Sequence, residues 1–353
     1  MPRIALIPGD GIGPDVVREA RRVMERVAEL EGVPLEVTQW ELSAERYLRE
    51  GVTITDEEFR ALADDYDAIL LGALGDPRVP GNQHARDILL GLRFKLDLYV
   101  NFRPCVVLDP AYSPLRSIDA GVRLEIFREN TEGLYLGMGG ALRAGTPDEI
   151  AIEESVNTRK GVDRIVRAAF EHARGQGRSR VTLVDKANAM RAEGNLWRRV
   201  FAEVAGGYPQ VTTDAMYVDA MVMDLVRRPE RYDVIVTSNL FGDIVSDLSA
   251  EITGGLGLAP SANLHPGRHA LFEPVHGSAP NIAGTGRANP LGAIRCVSLM
   301  MEHLGHPAAA RRVDAAVAAS VARGMTTPDL GGARSTEEVG IAIAGLLAET
   351  AEA

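Results

Sequence analysis

Short apolar runs alternate with amphipathic segments through the first part of the chain. Residues 3–7, 35–40 and 66–74 are short and rich in aliphatic side chains, which is typical of buried strands. Residues 15–30 and 55–63 have apolar positions at helical spacing. This order of strand, helix, strand, helix and strand predicts a largely parallel α/β sheet. Ligands of such sheets bind at the carboxyl ends of the strands, so the turns that follow the strands are the places to search for a site.

The alternation of strands and helices continues toward the end of the chain. The remaining predicted strands are 122–127, 180–184, 210–218 and 233–237, and the remaining predicted helices are 161–174, 291–304, 308–323 and 336–353. Residues 137–155 begin with a glycine-rich stretch and end in an apolar one, a pattern that predicts a hairpin or arm. A polar, glycine-bearing loop over 272–290 precedes the helix at 291–304.

The helix after the strand at 233–237 has two stripes of opposite character. Polar Ser238 and Asn239 and then Gly242 break the strand, and the helical pattern follows them. One stripe is apolar and the other acidic: Ile244, Leu248 and Ile252, and Asp243, Asp247 and Glu251. Residues i and i+4 lie about 6 Å apart on one helix face, so Asp243 and Asp247 can place two carboxylates on one hard cation. The alternative is that acids in a first helical turn only stabilise the helix dipole.

A glycine-rich turn joins the first strand to the first helix. Gly9, Gly11 and Gly13 have the spacing G-x-G-x-G, with Glu36 as the candidate for a distant ribose-binding acid. An ordinary dinucleotide-binding fingerprint has the spacing G-x-G-x-x-G, so the pattern argues against a Rossmann site here. The alternative is a tight turn that requires positive φ angles at glycine.

Three arginines lie at the ends of predicted elements, each beside an apolar run. Arg93 follows leucines at helical spacing, Arg103 lies in a strand-like segment, and Arg128 closes the strand at 122–127. Burying a guanidinium is costly unless an anion pairs with it. The three side chains therefore predict either a shared anionic ligand or three separate structural ion pairs.

Two strand ends and one loop carry further candidate groups. Lys186 follows the strand at 180–184 and is either a solvated charge or a base whose pKa is lowered by burial or by a nearby cation. Asp219 follows the strand at 210–218. His276, in the loop over 272–290, is either a structural histidine or a contact for an anionic or adenine-bearing ligand.

Composition excludes some classes of protein. The chain has 353 residues, 46% hydrophobic and 25% charged, with a net charge of -11 and a pI of about 5.2. The negative charge argues against nucleic-acid binding, and no apolar run approaches the roughly 20 residues that span a bilayer. Residues 1–4 enter a strand pattern without a signal sequence, which predicts a cytoplasmic protein. Cys105 and Cys296 are distant and flanked by apolar residues, so we expect buried thiols.

Taken in order, the motifs resemble those of one family, the isocitrate/isopropylmalate dehydrogenases. These metal-dependent, NAD(P)-linked enzymes oxidise and decarboxylate 2-hydroxy acids. The matching strings extend over essentially the whole chain: GDGIGP from Gly9, LRFKLDLYVNFRP, RENTEGLY, DKAN, YVDA, NLFGDIVSDL and EPVHGSAPNIAGTGRANP. Within the family, LLGLRFKLDLYVNFRP is most similar to the 3-isopropylmalate dehydrogenase branch.

The resemblance implies an α/β fold of two interleaved domains with a mixed sheet, which is not an ordinary Rossmann fold. It places residues 1–99 and 252–353 in a cofactor-binding domain. Residues 100–251 would form a second domain with the dimer interface and the metal and substrate residues. The hairpin near 137–155 would be an intersubunit arm, because members of the family are homodimers with shared active sites.

The resemblance also implies a role for each candidate residue. Arg93, Arg103 and Arg128 would bind the substrate carboxylates, and Tyr135 and Lys186 would be catalytic. Asp219, Asp243 and Asp247 would bind Mg²⁺ or Mn²⁺, with Lys186 and Asp219 supplied by the neighbouring subunit and Asp219 also close to the substrate. The expected cofactor contacts are Asn188, His276, Gly277, Ser278, Ala279, Asn281 and Asn289.

These residue types suit the implied chemistry. Lys186 would accept the hydroxyl proton of a 2-hydroxy acid, directly or through water or Asp219, while the cofactor accepts the hydride. A cation on the three aspartates would polarise the carbonyl of the β-keto acid and stabilise the enolate formed when CO₂ leaves. Tyr135 would then protonate the enolate carbon. Arginine side chains suit the two substrate carboxylates of a hydroxy-dicarboxylate.

The helix before Arg93 indicates the substrate. Isocitrate enzymes place polar side chains there, whereas Leu89 and Leu90 form an apolar wall here. Such a wall disfavours a third carboxylate and favours an alkyl group. The implied reaction is the conversion of 3-isopropylmalate, or another 3-alkylmalate, to a 2-oxo acid such as 4-methyl-2-oxopentanoate and CO₂. Tartrate, D-malate and homoisocitrate dehydrogenases remain alternatives within the family.

Two positions depart from the family pattern. Arg86 replaces a glutamate that isopropylmalate enzymes often have, which leaves the positioning of the nicotinamide open. Asn281 replaces the aspartate that binds ribose hydroxyls in NAD-dependent members, and it does not repel a 2′-phosphate. Ile282 lacks the lysine–tyrosine pair of NADP-dependent members, so we expect NAD.

A catalytically silent regulatory subunit is the alternative from a different class of function. Silent members of the family lose catalytic residues. Tyr135, Lys186 and the three aspartates are all present, which favours the enzyme.

Overall fold

A computed structural model describes residues 1–349 of the chain. Its strands are β1 (Arg3–Gly9), β2 (Glu36–Gln39), β3 (Ala68–Ala73), β4 (Val100–Val106), β5 (Arg123–Glu129), β6 (Gly139–Leu142), β7 (Ile150–Glu153), β8 (Arg180–Asp185), β9 (Thr212–Tyr217), β10 (Val234–Thr237), β11 (Pro260–His265) and β12 (His269–Pro274). The last four residues of the helix predicted over 336–353 lie outside the described residues.

The helices, in chain order, are α1 (Gly13–Glu31), α2 (Ala44–Glu50), α3 (Asp56–Asp64), α4 (Gln83–Ala85), α5 (Gly91–Lys95), α6 (Arg159–Gly175), α7 (Arg191–Ala205), α8 (Val218–Arg227), α9 (Asn239–Ile252), α10 (Leu291–His303), α11 (Pro307–Ala322) and α12 (Thr336–Glu349). A π-helical turn (Arg86–Leu90) lies between α4 and α5. Among the described residues, no helix is both long and apolar enough to cross a membrane.

The chain forms two compact units that interleave along the sequence. Unit 1 contains Met1–Leu98, Pro104–Gly121 and the chain from Ala250 onward, and unit 2 contains Tyr99–Arg103 and Val122–Ser249. Residues 104–121, which the prediction placed in the second domain, belong to unit 1. Tyr112 explains this difference, since its Cβ lies 3.4 Å from the position that a Cβ on Gly254 would occupy.

Unit 1 is built on a mixed sheet in the strand order β2-β1-β3-β12-β11. β1 is parallel to β2 and β3, β12 is parallel to β3, and β11 is antiparallel to β12. One face packs Ile7, Ile69 and Leu71 against Leu92 and Leu96 of the segment that carries α5. The predicted α/β class with a mixed sheet is confirmed.

The glycine-rich turn after β1 has the backbone of a tight turn. Gly9 and Gly11 have φ angles of 73° and 57°, a region that favours glycine. A Cβ on Gly11 would lie 2.0 Å from the backbone oxygen of Ser278, so only glycine fits this close approach. The prediction that the turn requires positive φ is confirmed.

Unit 2 is built on the strand order β4-β5-β10-β8-β9. β5, β10, β8 and β9 are parallel, as the sequence pattern predicts. Large buried side chains such as Phe170 on α6 and Trp197 on α7 form its core. The predicted hairpin consists of β6 and β7, whose residues are exposed, including Leu142 and Ile152.

Three local details of α8 and α9 were not predicted. Helix α9 begins at Asn239, so Asp243 and Asp247 lie beyond its first turn. The apolar stripe of Ile244, Leu248 and Ile252 is buried only in part: Ile244 is 48% exposed, whereas Ile252 is buried. Asp219 lies in the first turn of α8 rather than at a strand end.

The two cysteines match the prediction. Cys105 and Cys296 are free and buried. Burial raises the pKa of the Cys296 thiol to about 12, so this group is an inert hydrophobic side chain at neutral pH.

Candidate active site

A cluster of opposite charges in unit 2 is centred on Asp243. Oδ1 of Asp243 accepts hydrogen bonds from Nη1 of Arg128 and, at 3.2 Å, from Nη2 of Arg103. Oδ2 accepts a hydrogen bond from the Tyr135 hydroxyl at 3.0 Å. The arginines come from β4 and β5, and Asp243 comes from α9, so the edge of the unit 2 sheet assembles the cluster. Two predicted substrate-binding arginines and the predicted catalytic tyrosine thus converge on one carboxylate.

Arg103 is held by further hydrogen bonds within the same cluster. Its Nε donates to Oδ1 of Asn101 at 2.8 Å, and its Nη1 donates to the Ser246 hydroxyl at 2.8 Å and to Oδ1 of Asp247 at 3.2 Å. The small Ser246 side chain on the buried face of α9 makes room for the guanidinium. This contact is the physical reason that a polar residue, Ser246, lies on the buried face of α9.

Arg128 is fixed by two residues for which the sequence analysis predicted no role. Asn239 accepts hydrogen bonds from Nε and Nη2 of Arg128 at 3.0 and 2.8 Å. Gly242 lies against the aliphatic part of the arginine, where a Cβ would be 2.5 Å from Cγ of Arg128. The signal for both was present in the string NLFGD, in which Asn239 and Gly242 were interpreted only as strand breakers.

The surroundings raise the pKa of two acidic groups in the cluster. Burial and the Asp243 carboxylate raise the pKa of the Tyr135 hydroxyl, so the phenol is protonated at neutral pH. Burial also raises the pKa of Asp247, and the nearby Asp243 adds to this effect while Arg103 opposes it. Tyr135 is therefore a proton donor in this environment, and its ring also faces the Arg128 guanidinium at 5.1 Å.

Lys186 and Asp219 form a second cluster in unit 2. The Lys186 ammonium donates to Oδ1 of Asp219, and this contact lowers the pKa of the Asp219 carboxyl. Asp185 supports the turn, because it accepts hydrogen bonds from the backbone N–H of Ala187 and from Arg198. The predicted base therefore lies in direct contact with one of the predicted metal ligands.

The predicted metal ligands do not form one group in a single chain. Within residues 1–349, no three carboxylate, imidazole or thiol side chains are arranged so that they could hold a metal ion. Asp243 and Asp247 share α9 and both contact Arg103, whereas Asp219 contacts Lys186. Asn188, a predicted cofactor contact, is exposed in the turn after Lys186.

In unit 1, Arg93 is paired within a buried network. Its Nη2 donates to Oε1 of Glu273 at 2.7 Å, and Nδ2 of Asn263 donates to the same oxygen at 2.9 Å. The sequence analysis missed Glu273 although it begins the string EPVHG. Leu89 and Leu90 are half-buried in the π-helical turn that precedes Arg93.

The loop after β12 in unit 1 carries most of the predicted cofactor residues. His276 donates from Nδ1 to the backbone oxygen of Gly277 at 3.0 Å, and burial lowers the pKa of its imidazole. Its Nε2 is a buried acceptor without a hydrogen-bond partner in the described structure. Ser278 accepts a hydrogen bond from the N–H of Ile12 at 2.8 Å, and Ala279 has a φ of 38°. This loop is fixed against the glycine-rich turn and leaves a polar atom unsatisfied.

Two asparagines of the same loop differ in their surroundings. Asn289 is buried, donates to Oδ2 of Asp329 at 2.8 Å and accepts a hydrogen bond from the N–H of Leu291 at the start of α10. Its side chain therefore has a structural function in the described fold. Asn281 is exposed, as a ligand contact requires.

Comparisons with known proteins find a matching family model and relatives over nearly the full length of the chain. A family model described as isocitrate/isopropylmalate dehydrogenase matches residues 3–343. A 3-isopropylmalate dehydrogenase of Thermobifida fusca is 48% identical, with 98% of each chain covered, and one of Clavibacter michiganensis is 49% identical, with 97% of this chain and 98% of the relative covered.

Solved structures show the same fold. An isocitrate dehydrogenase of Methylococcus capsulatus superposes with a TM-score of 0.90 at 38% identity, over 98% of this chain and 99% of that one. A β-decarboxylating dehydrogenase of Thermococcus kodakarensis has a TM-score of 0.81 at 37% identity, over 99% of this chain and 97% of that one.

Proposed function

The chain belongs to the isocitrate/isopropylmalate dehydrogenase family, and from this premise we propose that it oxidises and decarboxylates 3-isopropylmalate with NAD as hydride acceptor. The products would be 4-methyl-2-oxopentanoate, CO₂ and NADH, a reaction of leucine biosynthesis. The observation that carries the proposal is the full-length similarity to 3-isopropylmalate dehydrogenases together with an intact set of charged residues around Asp243. A cytoplasmic location remains part of the proposal.

The arginines would bind the two carboxylates of the malate part of the substrate. Arg103 and Arg128 are buried and fixed by Asn101 and Asn239, so their guanidinium groups need little reorganisation. A planar guanidinium offers parallel donors that match a carboxylate. Arg93, held by Glu273, stays a proposed substrate ligand on the same chemical grounds.

The aspartates suit a hard divalent cation. Asp243 and Asp247 are four residues apart on α9, both carry oxygen donors, and the Asp247 side chain is 53% exposed. With Asp219 from a second subunit they would hold Mg²⁺ or Mn²⁺, which supplies Lewis acidity at the carbonyl and enolate oxygens. In the described chain their negative charge is compensated by Arg103 and Arg128.

The proton transfers are assigned to Lys186 and Tyr135. As the neutral amine, Lys186 would accept the hydroxyl proton while NAD accepts the hydride from C2, and Asp219 orients Nζ of Lys186 through the contact described above. Tyr135 holds a proton because its pKa is raised, and it delivers this proton to the enolate carbon after CO₂ leaves. Asp243 accepts a hydrogen bond from the Tyr135 hydroxyl and so fixes its direction.

The loop at 276–289 would bind the cofactor. The unpartnered Nε2 of His276 is an acceptor for a donor such as the exocyclic amine of adenine. The exposed Asn281 side chain can hydrogen-bond to a ribose hydroxyl, and Ile282 provides no cation for a 2′-phosphate, which favours NAD over NADP.

A homodimer with shared sites is part of the proposal. Large apolar side chains are exposed on α8 and α9, where Met223 is 59%, Val226 48% and Ile244 48% exposed. Leu142 and Ile150 are exposed on the β6–β7 hairpin. Such surfaces are typical of protein–protein contacts, and a second copy would also supply Lys186 and Asp219.

A substrate panel tests the proposal. Reduction of NAD and of NADP is measured with Mg²⁺ or Mn²⁺ and with 3-isopropylmalate, D-malate, tartrate, isocitrate or homoisocitrate. We expect the highest kcat/KM for 3-isopropylmalate with NAD. A preference for isocitrate would overturn the substrate assignment, and a lack of turnover with every member would favour the silent-subunit alternative.

A further inference from the structure

A buried aspartate–histidine pair in unit 1 has no part in the proposed chemistry. Nε2 of His84 donates to Oδ2 of Asp10 at 2.7 Å. His84 is completely buried and Asp10 is 6% exposed. The Tyr47 ring stacks on the His84 imidazole with centroids 6.2 Å apart. Burying two polar groups is costly unless they bond to each other, so the pair specifies one arrangement of the segments that carry it.

Asp10 joins three loops of unit 1 at the carboxyl edge of the sheet. Its Oδ1 accepts a hydrogen bond from the N–H of Ala44 at 2.6 Å, and its Oδ2 accepts one from the N–H of Gly75 at 2.8 Å. Ala44 begins α2, and Gly75 follows β3. Asp10 accepts all three of these hydrogen bonds through its two carboxylate oxygens. An amide of the same shape has only one acceptor oxygen and could not accept all three in this arrangement.

The turn that contains Asp10 also fixes the proposed cofactor loop. Ile12 donates its N–H to the backbone oxygen of Ser278, and Gly11 packs too closely to Ser278 for any side chain. Gly75 approaches the same residue, since a Cβ there would lie 3.3 Å from the Ser278 hydroxyl. Any displacement of Asp10 is therefore transmitted to the loop at 276–279 through backbone contacts.

His84 fixes the beginning of the segment that carries Leu89 and Leu90. The residue before α4, Asn82, has a φ of 50° and provides no side-chain cap for this helix. Ile88 and Leu92 anchor the segment in the core, whereas Leu89 and Leu90 are half-buried. The bond from His84 to Asp10 is thus the polar anchor at the start of this segment.

We propose that Asp10 and His84 are positioning residues that set the Leu89–Leu90 wall relative to the Ser278 loop and so determine selectivity for the alkyl group of the substrate. This inference rests on the proposed function, because it assigns Leu89 and Leu90 to the alkyl group. Neither Asp10 nor His84 contacts the reacting atoms in this scheme. A purely structural pair would instead affect folding and leave the ratio between substrates unchanged.

The test compares three substrates that differ only at C3: 3-isopropylmalate, 3-methylmalate and D-malate. In His84→Leu, which removes the donor, we expect KM for 3-isopropylmalate to rise about tenfold while kcat/KM for D-malate changes less than about twofold. The matched variant His84→Gln retains an amide donor at a similar distance and should restore the wild-type ratio. Asp10→Asn should reduce selectivity in the same direction and also raise KM for NAD.

The outcomes separate this inference from the proposed function. If the wild type turns over none of the three substrates, the proposed function fails. If the wild type prefers 3-isopropylmalate but His84→Leu lowers kcat/KM equally for all three, or lowers only the melting temperature, the positioning role is overturned. Should His84→Leu not fold, His84→Asn, whose amide is one methylene shorter than that of glutamine, takes its place in the same comparison with His84→Gln.

Discussion

At the scale of single residues, the central contact is the pairing of Lys186 with Asp219. A lysine base must be positioned within reach of the substrate hydroxyl, and the Asp219 carboxylate orients it. We expect Lys186→Ala to lower kcat by about 10²–10⁴ while the dissociation constant for NAD is unchanged. Steady-state kinetics and NAD binding by calorimetry measure the two effects. Lys160→Ala, at an exposed position in α6, is the control, and an active Lys186→Ala would refute the assigned base.

Tyr135 has a different expected signature. Its raised pKa keeps the phenol protonated at neutral pH, so Tyr135→Phe should block protonation of the enolate but not binding of the substrate. We expect kcat to fall by about 10²–10⁴ with KM nearly unchanged. The raised pKa also means that the kcat of the wild type should not decline through loss of the Tyr135 proton up to about pH 10. A pH–rate profile that falls at neutral pH in the wild type and not in Tyr135→Phe would contradict this assignment.

Glu125, three residues before Arg128 in β5, provides a pH-dependent contribution to stability. Its carboxylate is completely buried, but the contact with His172 and the ion pairs with Arg123 and Arg178 outweigh the burial and lower its pKa to about 2. Because the folded pKa lies below the unfolded value, this stabilisation is present above pH 4.5 and is lost as the pH falls toward 2. The shift corresponds to roughly 3 kcal/mol.

Urea denaturation checks this contribution. We expect Glu125→Gln to lower the free energy of unfolding by about 2–3 kcal/mol at pH 7, with a smaller difference from the wild type near pH 3. Glu203→Gln, which removes an exposed partner of Arg159, should change the midpoint little at either pH. A difference between wild type and Glu125→Gln that is the same at both pH values would show that titration of Glu125 does not cause it.

At the scale of secondary-structure elements, the contact of α9 with β5 depends on Gly242. Helix propensity alone predicts that glycine to alanine in a helix stabilises by up to about 1 kcal/mol. At Gly242 the added Cβ would meet Arg128 at 2.5 Å, so we expect Gly242→Ala to displace the guanidinium and reduce kcat/KM at least about tenfold. Gly345→Ala in α12, where nothing lies within 4 Å of the added Cβ, should preserve activity and raise the melting temperature slightly.

Elements in which apolar residues recur with a regular period were predictable from the sequence. Elements that depend on partners distant in sequence were not. β1, β3 and α1 follow directly from their apolar patterns. The β11–β12 hairpin was missed because its first strand, PSANLH, lacks the apolar pattern of a buried strand and is specified by pairing with β12. The pattern of α9 could not predict that Ser246 is buried, because Ser246 contacts Arg103, a residue over 140 positions away.

The same distinction applies to the candidate site. Spacing on one helix suggested Asp243 and Asp247 as a pair, and the structure brings both to Arg103. Spacing contained nothing about Glu273, Asn239 or His84, because each acts through a partner that is distant in sequence. Local patterns therefore identify residue types suited to a reaction, whereas the groups that orient them require the fold.

At the scale of the whole molecule, the sharing of active sites between two copies can be tested directly. We assume that each site takes Lys186 from one subunit and Asp243 from the other. A mixed dimer of one Lys186→Ala subunit and one Asp243→Asn subunit then has both substitutions in one site, and its second site is intact. Unfolding and refolding an equal mixture of the two inactive variants should restore about one quarter of wild-type activity, since half of the dimers are mixed and each has one functional site. Sites formed within single chains would give no recovery.

Oligomerisation itself has a matched test. Ile244→Asp places a charge on the exposed face of α9, and we expect it to favour the monomer in sedimentation and to abolish activity. Ile341→Asp, at a position of similar exposure on α12, is the control and should remain dimeric and active. A fully active monomeric Ile244→Asp would contradict the shared site.

The parallel pairing of β3 with β12 determines when this protein can finish folding during its synthesis. Ile69 pairs with Leu271, so these neighbours are roughly 200 residues apart along the chain. Residues 122–249 of unit 2, by contrast, form an uninterrupted stretch that leaves the ribosome earlier. The β3 edge of the amino-terminal strands therefore stays without its β12 partner until residues 269–274 have been synthesised. Unit 2 can therefore complete its fold before unit 1, although the synthesis of unit 1 begins first. A chaperone that binds apolar segments would act on the first strands during this interval.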